Sequence, residues 1–193
     1  WDIPTLAGGE GNGTFARRAM KHPFTLVGSL IPTLLSAQAL VWDAPQDVAP
    51  ENSGALRPRV VVNADGNPVV LWTRSSTLGC FVSVGSDGGF GPSVRLNPED
   101  LDIAAADWQG PALAAHGSTV AVAFKGLPED TAPCYLIQST DGGYNWGDTL
   151  RVDPFDGLVS RFPSVTVKPD GARVVEYMQF TSGYLEQRHV LRT

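Results

Sequence analysis

Ser139-Thr140-Asp141-Gly142-Gly143-Tyr144-Asn145-Trp146 reads Ser-x-Asp-x-Gly-x-x-Trp, and this stretch decides the fold. Short polar side chains such as Ser139 and Asp141 bond nearby backbone N–H groups and hold a turn. Gly142 and Gly143 admit the positive φ that a tight turn demands. Trp146 can lay a large apolar face over that turn. These are residues of turn and packing rather than of a reacting centre.

The stretch belongs to a repeat. Pro58-Arg59-Val60-Val61-Val62, Pro111-Ala112-Leu113-Ala114-Ala115 and Pro163-Ser164-Val165-Thr166-Val167 each open a strand, and their prolines are 53 and 52 residues apart. Each reaches a turn (Ala64 to Asn67, His116 to Ser118, Pro169 to Gly171) and then a β-rich run ending at Trp72, Phe124 or Tyr177. Third strands follow at Cys80–Val84 and Cys134–Gln138. The first leads into Ser86-Asp87-Gly88-Gly89-Phe90, a degenerate copy of the opening motif, and the second into the full copy. Fourth strands are predicted at Ser93–Asn97 and Thr149–Asp153. Four antiparallel strands in a unit of roughly 40–50 residues make a propeller blade. In the third unit His189–Thr193 aligns with Tyr135–Ser139, so Thr193 falls where a further box would begin. Trp42-Asp43-Ala44-Pro45-Gln46-Asp47-Val48 is similar to the segment from Trp146 onward and reads as a fourth strand without its own blade.

The motif resembles the Asp-box, or bacterial neuraminidase repeat, of sialidase-like β-propellers. Its structural positions here are Ser139, Asp141, Gly143 and Trp146, with Asp87 and Gly89 in the degenerate copy. The resemblance implies an all-β propeller of four-stranded antiparallel blades, six in the full protein, of which about three fall in residues 40–193. The chain then reads as the front part of a longer protein. The resemblance further implies a secreted protein, bacterial in type, that acts on glycans, with hydrolysis of terminal sialic acid as its sharpest form. A non-catalytic propeller that binds glycan or protein is the alternative, since fold does not fix function.

Composition bounds the partners. Hydrophobic residues make up 42% of the chain, enough for a globular core. The net charge is −6, which argues against a nucleic-acid partner, and no Lys/Arg cluster suits an anionic membrane. Met20-Lys21-His22, the apolar run Pro23–Leu35 and Ala37-Gln38-Ala39 read as a secretory signal peptide spanning 20–39. The run is short for a bilayer span, and Pro23 and Pro32 disfavour a long helix. No membrane insertion is expected after cleavage. Residues 1–19 form an unassigned leader, consistent with an overlong gene start. Cys80 and Cys134 occupy equivalent third-strand positions a blade apart, which favours two buried thiols over a disulfide. No metal site and no cofactor are expected, because there is no Cys/His cluster.

In sialidase-like propellers the boxes occupy one end of the blades, and the active-site loops lead into first strands and join second to third strands at the other. The resemblance places Arg57, Arg59, Trp108, Gln109, Ser160, Arg161 and the stretches 74–79, 125–133 and 179–183 there. An arginine set that grips the substrate carboxylate suits the planar guanidinium. Arg161-Phe162-Pro163 matches that family motif locally, and Leu56-Arg57-Pro58 carries its arginine one residue late. Arg161 and Arg57 are therefore the substrate-binding candidates, and Asp130, beside Glu129, is the acid/base candidate. In sialidases a tyrosine assisted by a glutamate is the nucleophile, but Glu176 and Tyr177 are neighbours in a strand, point to opposite faces and cannot form that pair. Tyr184 and Glu186 share a face of a third strand.

Overall fold

The structure of the chain is a computed structural model, and it describes residues 43–50, 54–106, 108–154, 157–180 and 187–192. The leader, the signal-like segment, Trp42, Tyr184, Glu186 and Thr193 lie outside these residues. The described residues form twelve strands and no helix.

Three antiparallel sheets follow one another along the chain as blades of a β-propeller. Blade 1 is β1 (Ala55–Val62), β2 (Pro68–Arg74) and β3 (Gly79–Ser86), with β4 (Gly89–Phe90) and β5 (Val94–Arg95) both pairing with β3. Blade 2 runs in order through β6 (Ala112–His116), β7 (Thr119–Lys125), β8 (Cys134–Ser139) and β9 (Leu150–Arg151). Blade 3 comprises β10 (Val159–Val167), β11 (Arg173–Phe180) and β12 (Gln187–Arg192). The first turns open where Gly66 (φ 80°), Gly117 (φ 57°) and Gly171 (φ 81°) supply left-handed backbone.

Side-chain alternation decides how the blades stack. Along β7, Val120, Val122 and Phe124 pack with Val69, Leu71, Cys80, Val82 and Leu96 of blade 1. The intervening Ala121 and Ala123 turn the other way and pack with Val175 and Tyr177 of blade 3. β7 is thus buried on both faces, which explains its near-continuous apolar run. Register makes Trp72, Phe124 and Tyr177 equivalent: each lies two residues beyond Val70, Val122 or Val175, which pair with Val60, Leu113 and Val165. Each aromatic is buried on the same face of its blade, and two have an aromatic cross-strand partner, at 6.3 Å (Trp72–Phe81) and 5.6 Å (Phe124–Tyr135).

The Ser139–Trp146 motif forms a dense local network. Ser139 Oγ donates to Asp141 Oδ1 (2.7 Å) and accepts from Gly143 N (2.9 Å). Asp141 accepts from the backbone N (2.9 Å) and the side-chain amide (2.6 Å) of Asn145. Trp146 Nε1 donates to Gly143 O (2.9 Å). The motif also binds the neighbouring blade: Asn63 Nδ2, in the β1–β2 turn, donates to Gly142 O (3.0 Å). Asn63 Oδ1 meanwhile accepts from the N–H groups of Asp65 and Asn67, so one buried amide shapes its own turn and ties blade 1 to blade 2. A Cβ on Gly143 would stand 3.2–3.4 Å from Val69 and Val84, a fit that glycine alone leaves open.

Three expectations change. Asp87 and Gly88 form the two-residue loop of a β3–β4 hairpin with Ser86 paired to Gly89, so Asp87 and Gly89 adopt a simple hairpin instead of the box network. The reason is the aromatic arriving early, at Phe90, where it pairs with Gly85. Asp43–Val48 forms no strand. Finally, β1 and β10 start before their prolines. Each crosses a bulge at which Arg57 (φ 55°) or Phe162 (φ 56°) is left-handed, so Arg57, Ser160 and Arg161 are strand residues rather than loop residues.

Asn63→Ala would strand the Gly142 carbonyl and two turn N–H groups, and its unfolding free energy should fall by about 1–3 kcal/mol in urea titration. The bonds from Asn145 and Ser139 hold the Asp141 carboxyl down at about 2. Its folded value lies below the unfolded one, so its contribution is present above the usual Asp range and is lost as pH falls towards about 2. Asp141→Asn should flatten the acid limb of the melting temperature between about pH 4 and 2. An unchanged acid limb would refute that assignment.

Candidate functional site

Antiparallel register sorts the connections to two ends. Ala55 pairs with Arg74 and Val159 with Phe180 at one end, whereas Val62–Pro68, His116–Thr119 and Val167–Arg173 close the other. The Asp-box follows Ser139 at the end of β8, opposite Val120 of β7, and so belongs to the second end. Ser139, Asp141, Gly143 and Trp146 are therefore remote from the end that gathers Arg57, Arg161 and the β7–β8 loop.

At the first end Arg161 is engaged by the chain's own carboxylates. Its guanidinium lies 2.9 Å from Glu129 Oε2 and 2.6 Å from Asp130 Oδ1. The Arg161 side chain is 16% exposed, Glu129 is half-buried, and Asp130 projects into solvent. The loop that carries the two acids is built from within. Thr131 N and Ala132 N donate to Pro128 O, Gly126 N to Pro133 O, and Leu127 N to Asp102 O. Lys125, the last residue of β7, points with Ala121 and Ala123 towards blade 3 and donates from Nζ to Ala132 O.

Lys125 is a buried cation at the seam between two blades. Burial lowers its pKa and Arg161 pushes the same way, while Cys134, Asp153 and Glu129 oppose. Cys134, its cross-strand partner, is a free buried thiol pushed up to about 12 by burial. Asp153 is buried and paired with Arg151 at 2.9 Å.

A second locus surrounds Arg57. Leu56, Arg57, Pro58, Arg59 and Ala105 line an open cleft of about 460 Å³. The Arg57 stem packs on Gly110, where a Cβ would stand 3.3 Å from its Cγ. The adjacent Gln109 is buried and accepts from Phe162 N at 3.3 Å. The first strands of blades 1 and 3 are thereby joined through the segment that enters β6, by Arg57, Gly110, Gln109 and Phe162. Trp108 is 65% exposed beside this chain of contacts. Ser160 and Gln179 are buried, and Gln179 Nε2 donates to Ser160 Oγ at 3.4 Å.

The structure brings Arg161 and Asp130 together, in an ion pair. It places Arg57 on a different blade, beside Arg59. Tyr177 is buried against blade 2 and Glu176 points away from it. Lys125 and Glu129 carry more of the geometry than their sequence context suggested. The available signal for Lys125 was a charge closing the apolar run Val120–Phe124. Among the described residues, no three His, Cys, Asp or Glu side chains are grouped as a metal site.

No protein-family model and no curated protein matches the chain. Solved structures do. An ulvan lyase of polysaccharide lyase family 25 is 10% identical with a TM-score of 0.51, over 72% of this chain and 41% of that one. A family-43 β-1,3-galactosidase is 14% identical (TM-score 0.45, 71% and 41% covered), and a thermostable family-43 glycoside hydrolase 16% identical (0.42, 71% and 53%). The chain spans between 41% and 53% of the length of these proteins. At such identity the likeness to the lyase concerns fold, and it agrees with the antiparallel blades described above.

Lys125 binds fewer protons folded than unfolded between its lowered pKa and the usual lysine value. Its share of stability therefore rises with pH across that window. The buried thiols act in the opposite sense, so the comparison must be with Lys125→Met. That variant should lack the Lys125 share of the alkaline rise in melting temperature, measured by calorimetry from pH 7 to 10.5. An identical pH profile for the two proteins would show that Lys125 is not desolvated.

Proposed function

We propose that the chain is part of a secreted, glycan-acting propeller that recognises an acidic sugar at the end bearing the Arg57–Arg59 cleft. One observation carries this reading: two arginines line an open cleft on the end of the blades that also carries an exposed tryptophan. Guanidinium groups bind a carboxylate by charge-assisted bonds, and an exposed indole offers a flat apolar face to a sugar ring. The signal-like segment 20–39 supports export, and the fold shared with a polysaccharide lyase supports glycan as the ligand class. The finer form, drawn from the Asp-box resemblance, is a terminal sialic acid, with exo-α-sialidase activity for the whole protein.

Arg161 takes a different part from the one first assigned to it. Glu129 and Asp130 engage its guanidinium, so Arg161 positions the acidic loop, and carboxylate binding is assigned to Arg57 and Arg59 because both line the cleft. Asp130 stays solvent-facing and supplies the acid/base candidate if the protein turns substrate over. The non-catalytic alternative draws on Tyr177 and Glu176, which supply no nucleophile pair at this end.

A glycan array read with the chain should show preference for carboxylated sugars. Arg57→Ala should weaken that binding by about tenfold to a hundredfold, as loss of a charge-assisted contact does. Binding that ignores the carboxylate, or survives loss of both Arg57 and Arg59, would overturn the reading. Release of a fluorogenic sialoside by the full-length protein, abolished in Asp130→Asn, separates enzyme from binding module.

A further inference from the structure

Arg57, Gly110 and Phe162 hold the same place in the three blades, each immediately before the proline of the first strand (Pro58, Pro111 and Pro163). In blades 1 and 3 that residue sits at a bulge in left-handed backbone, at φ 55° and 56°, although neither arginine nor phenylalanine favours it. In blade 2 the residue is glycine, which adopts such backbone freely, and yet Gly110 stays outside the left-handed region. Its backbone therefore does not require glycine. What the missing side chain supplies is room. A Cβ on Gly110 would stand 3.3 Å from Arg57 Cγ and 3.5 Å from Arg57 Cβ and Cδ. The Arg57 stem thus runs along bare backbone of the segment that enters blade 2. That seat is itself held in place. Gln109 is buried, its N–H donates to Ala106 O at 3.2 Å, and its side-chain oxygen accepts from Phe162 N at 3.3 Å.

We propose that Gly110 is a positioning residue for acidic-sugar binding, an inference that rests on the reading of the Arg57–Arg59 cleft given above. An arginine stem free in water has many rotamers to lose when its guanidinium meets a ligand. A stem already laid against a neighbouring blade has fewer, so its guanidinium is pre-organised for the planar acid group. The two arginines of the cleft then differ in role. Arg59 is exposed and bonds only the adjoining Pro58 carbonyl, at 3.3 Å, among the contacts of its own strand. Arg57 is the more enclosed, is braced from a second blade, and sets where the acid group sits, while Arg59 adds charge.

The test is Gly110→Ala, which keeps the backbone and adds one methyl under the Arg57 stem. Modification by phenylglyoxal, located by peptide fragmentation in mass spectrometry, reads Arg57 directly, with Arg59 as the internal reference. The Arg57 rate should rise severalfold relative to Arg59 as the stem is pushed off its seat. Binding to the N-acetylneuraminic acid and glucuronic acid glycans of an array should weaken by about threefold to tenfold. On an Arg57→Ala background, where only a Cβ at 3.5 Å remains, Gly110→Ala should have no further effect on binding. An unchanged Arg57-to-Arg59 ratio overturns the proposal whatever the binding does. So does an equal loss of binding in both backgrounds, since the methyl would then act elsewhere. A raised ratio with undiminished acidic-sugar binding supports the seat and overturns instead the assignment of Arg57 as the carboxylate contact. Should Gly110→Ala fail to fold, adding Arg57→Ala should restore native near-UV circular dichroism, and a double variant that stays unfolded overturns the proposal.

Discussion

A β-sheet has two faces, and a blade is stable only when both are covered. β7 meets that demand most fully. Its large residues, Val120, Val122 and Phe124, fill the seam with blade 1, and its small ones, Ala121 and Ala123, let blade 3 approach. This division of one strand into a bulky and a lean side fixes the order of the blades. Antiparallel register then fixes which connections share an end, and so where a ligand can be met. The Asn63–Gly142 bond works on the same seam from outside, joining a turn of one blade to the box of the next.

Much of the fold was legible because it repeats. The prolines, the turn glycines and the aromatic at Trp72, Phe124 and Tyr177 recur with a spacing that only a tandem architecture explains. Other features were hidden because they depend on neighbours that are distant in the chain. Asn63 reads as an ordinary turn residue, yet it bonds a carbonyl 79 positions away. The bulges at Arg57 and Phe162 escaped detection for a related reason. A non-glycine residue gives little local sign of a left-handed backbone, and the strands were expected to begin at proline. The first box misled through its composition: Asp87-Gly88 is also a good hairpin loop, and the early Phe90 settles the choice.

The site was legible by region rather than by role. Topology sends Arg57, Arg161 and the Glu129–Asp130 loop to one end, as the blade pattern implied. Sequence could not show that Arg161 would be spent on the chain's own acids, because that pairing spans 31 residues and joins two blades. Nor could it show that Lys125 would be enclosed. A lysine at a strand end usually reaches water, and here it is buried and donates to Ala132 O.

The two seams within the chain are unequal, and that inequality bears on what loosens each. The seam between blades 1 and 2 joins valine, leucine and phenylalanine side chains and carries the Asn63 bond to the box. The seam between blades 2 and 3 is lined on one side by Ala121, Ala123, Cys134 and Leu136, encloses the Lys125 cation and is crossed by the Arg161 ion pairs to Glu129 and Asp130. The first seam holds by apolar packing with one amide bond, the second by apolar packing with charged contacts. Cavity-forming substitutions therefore act chiefly on the first seam and ionic strength chiefly on the second, so the two joints of one molecule answer to different perturbations.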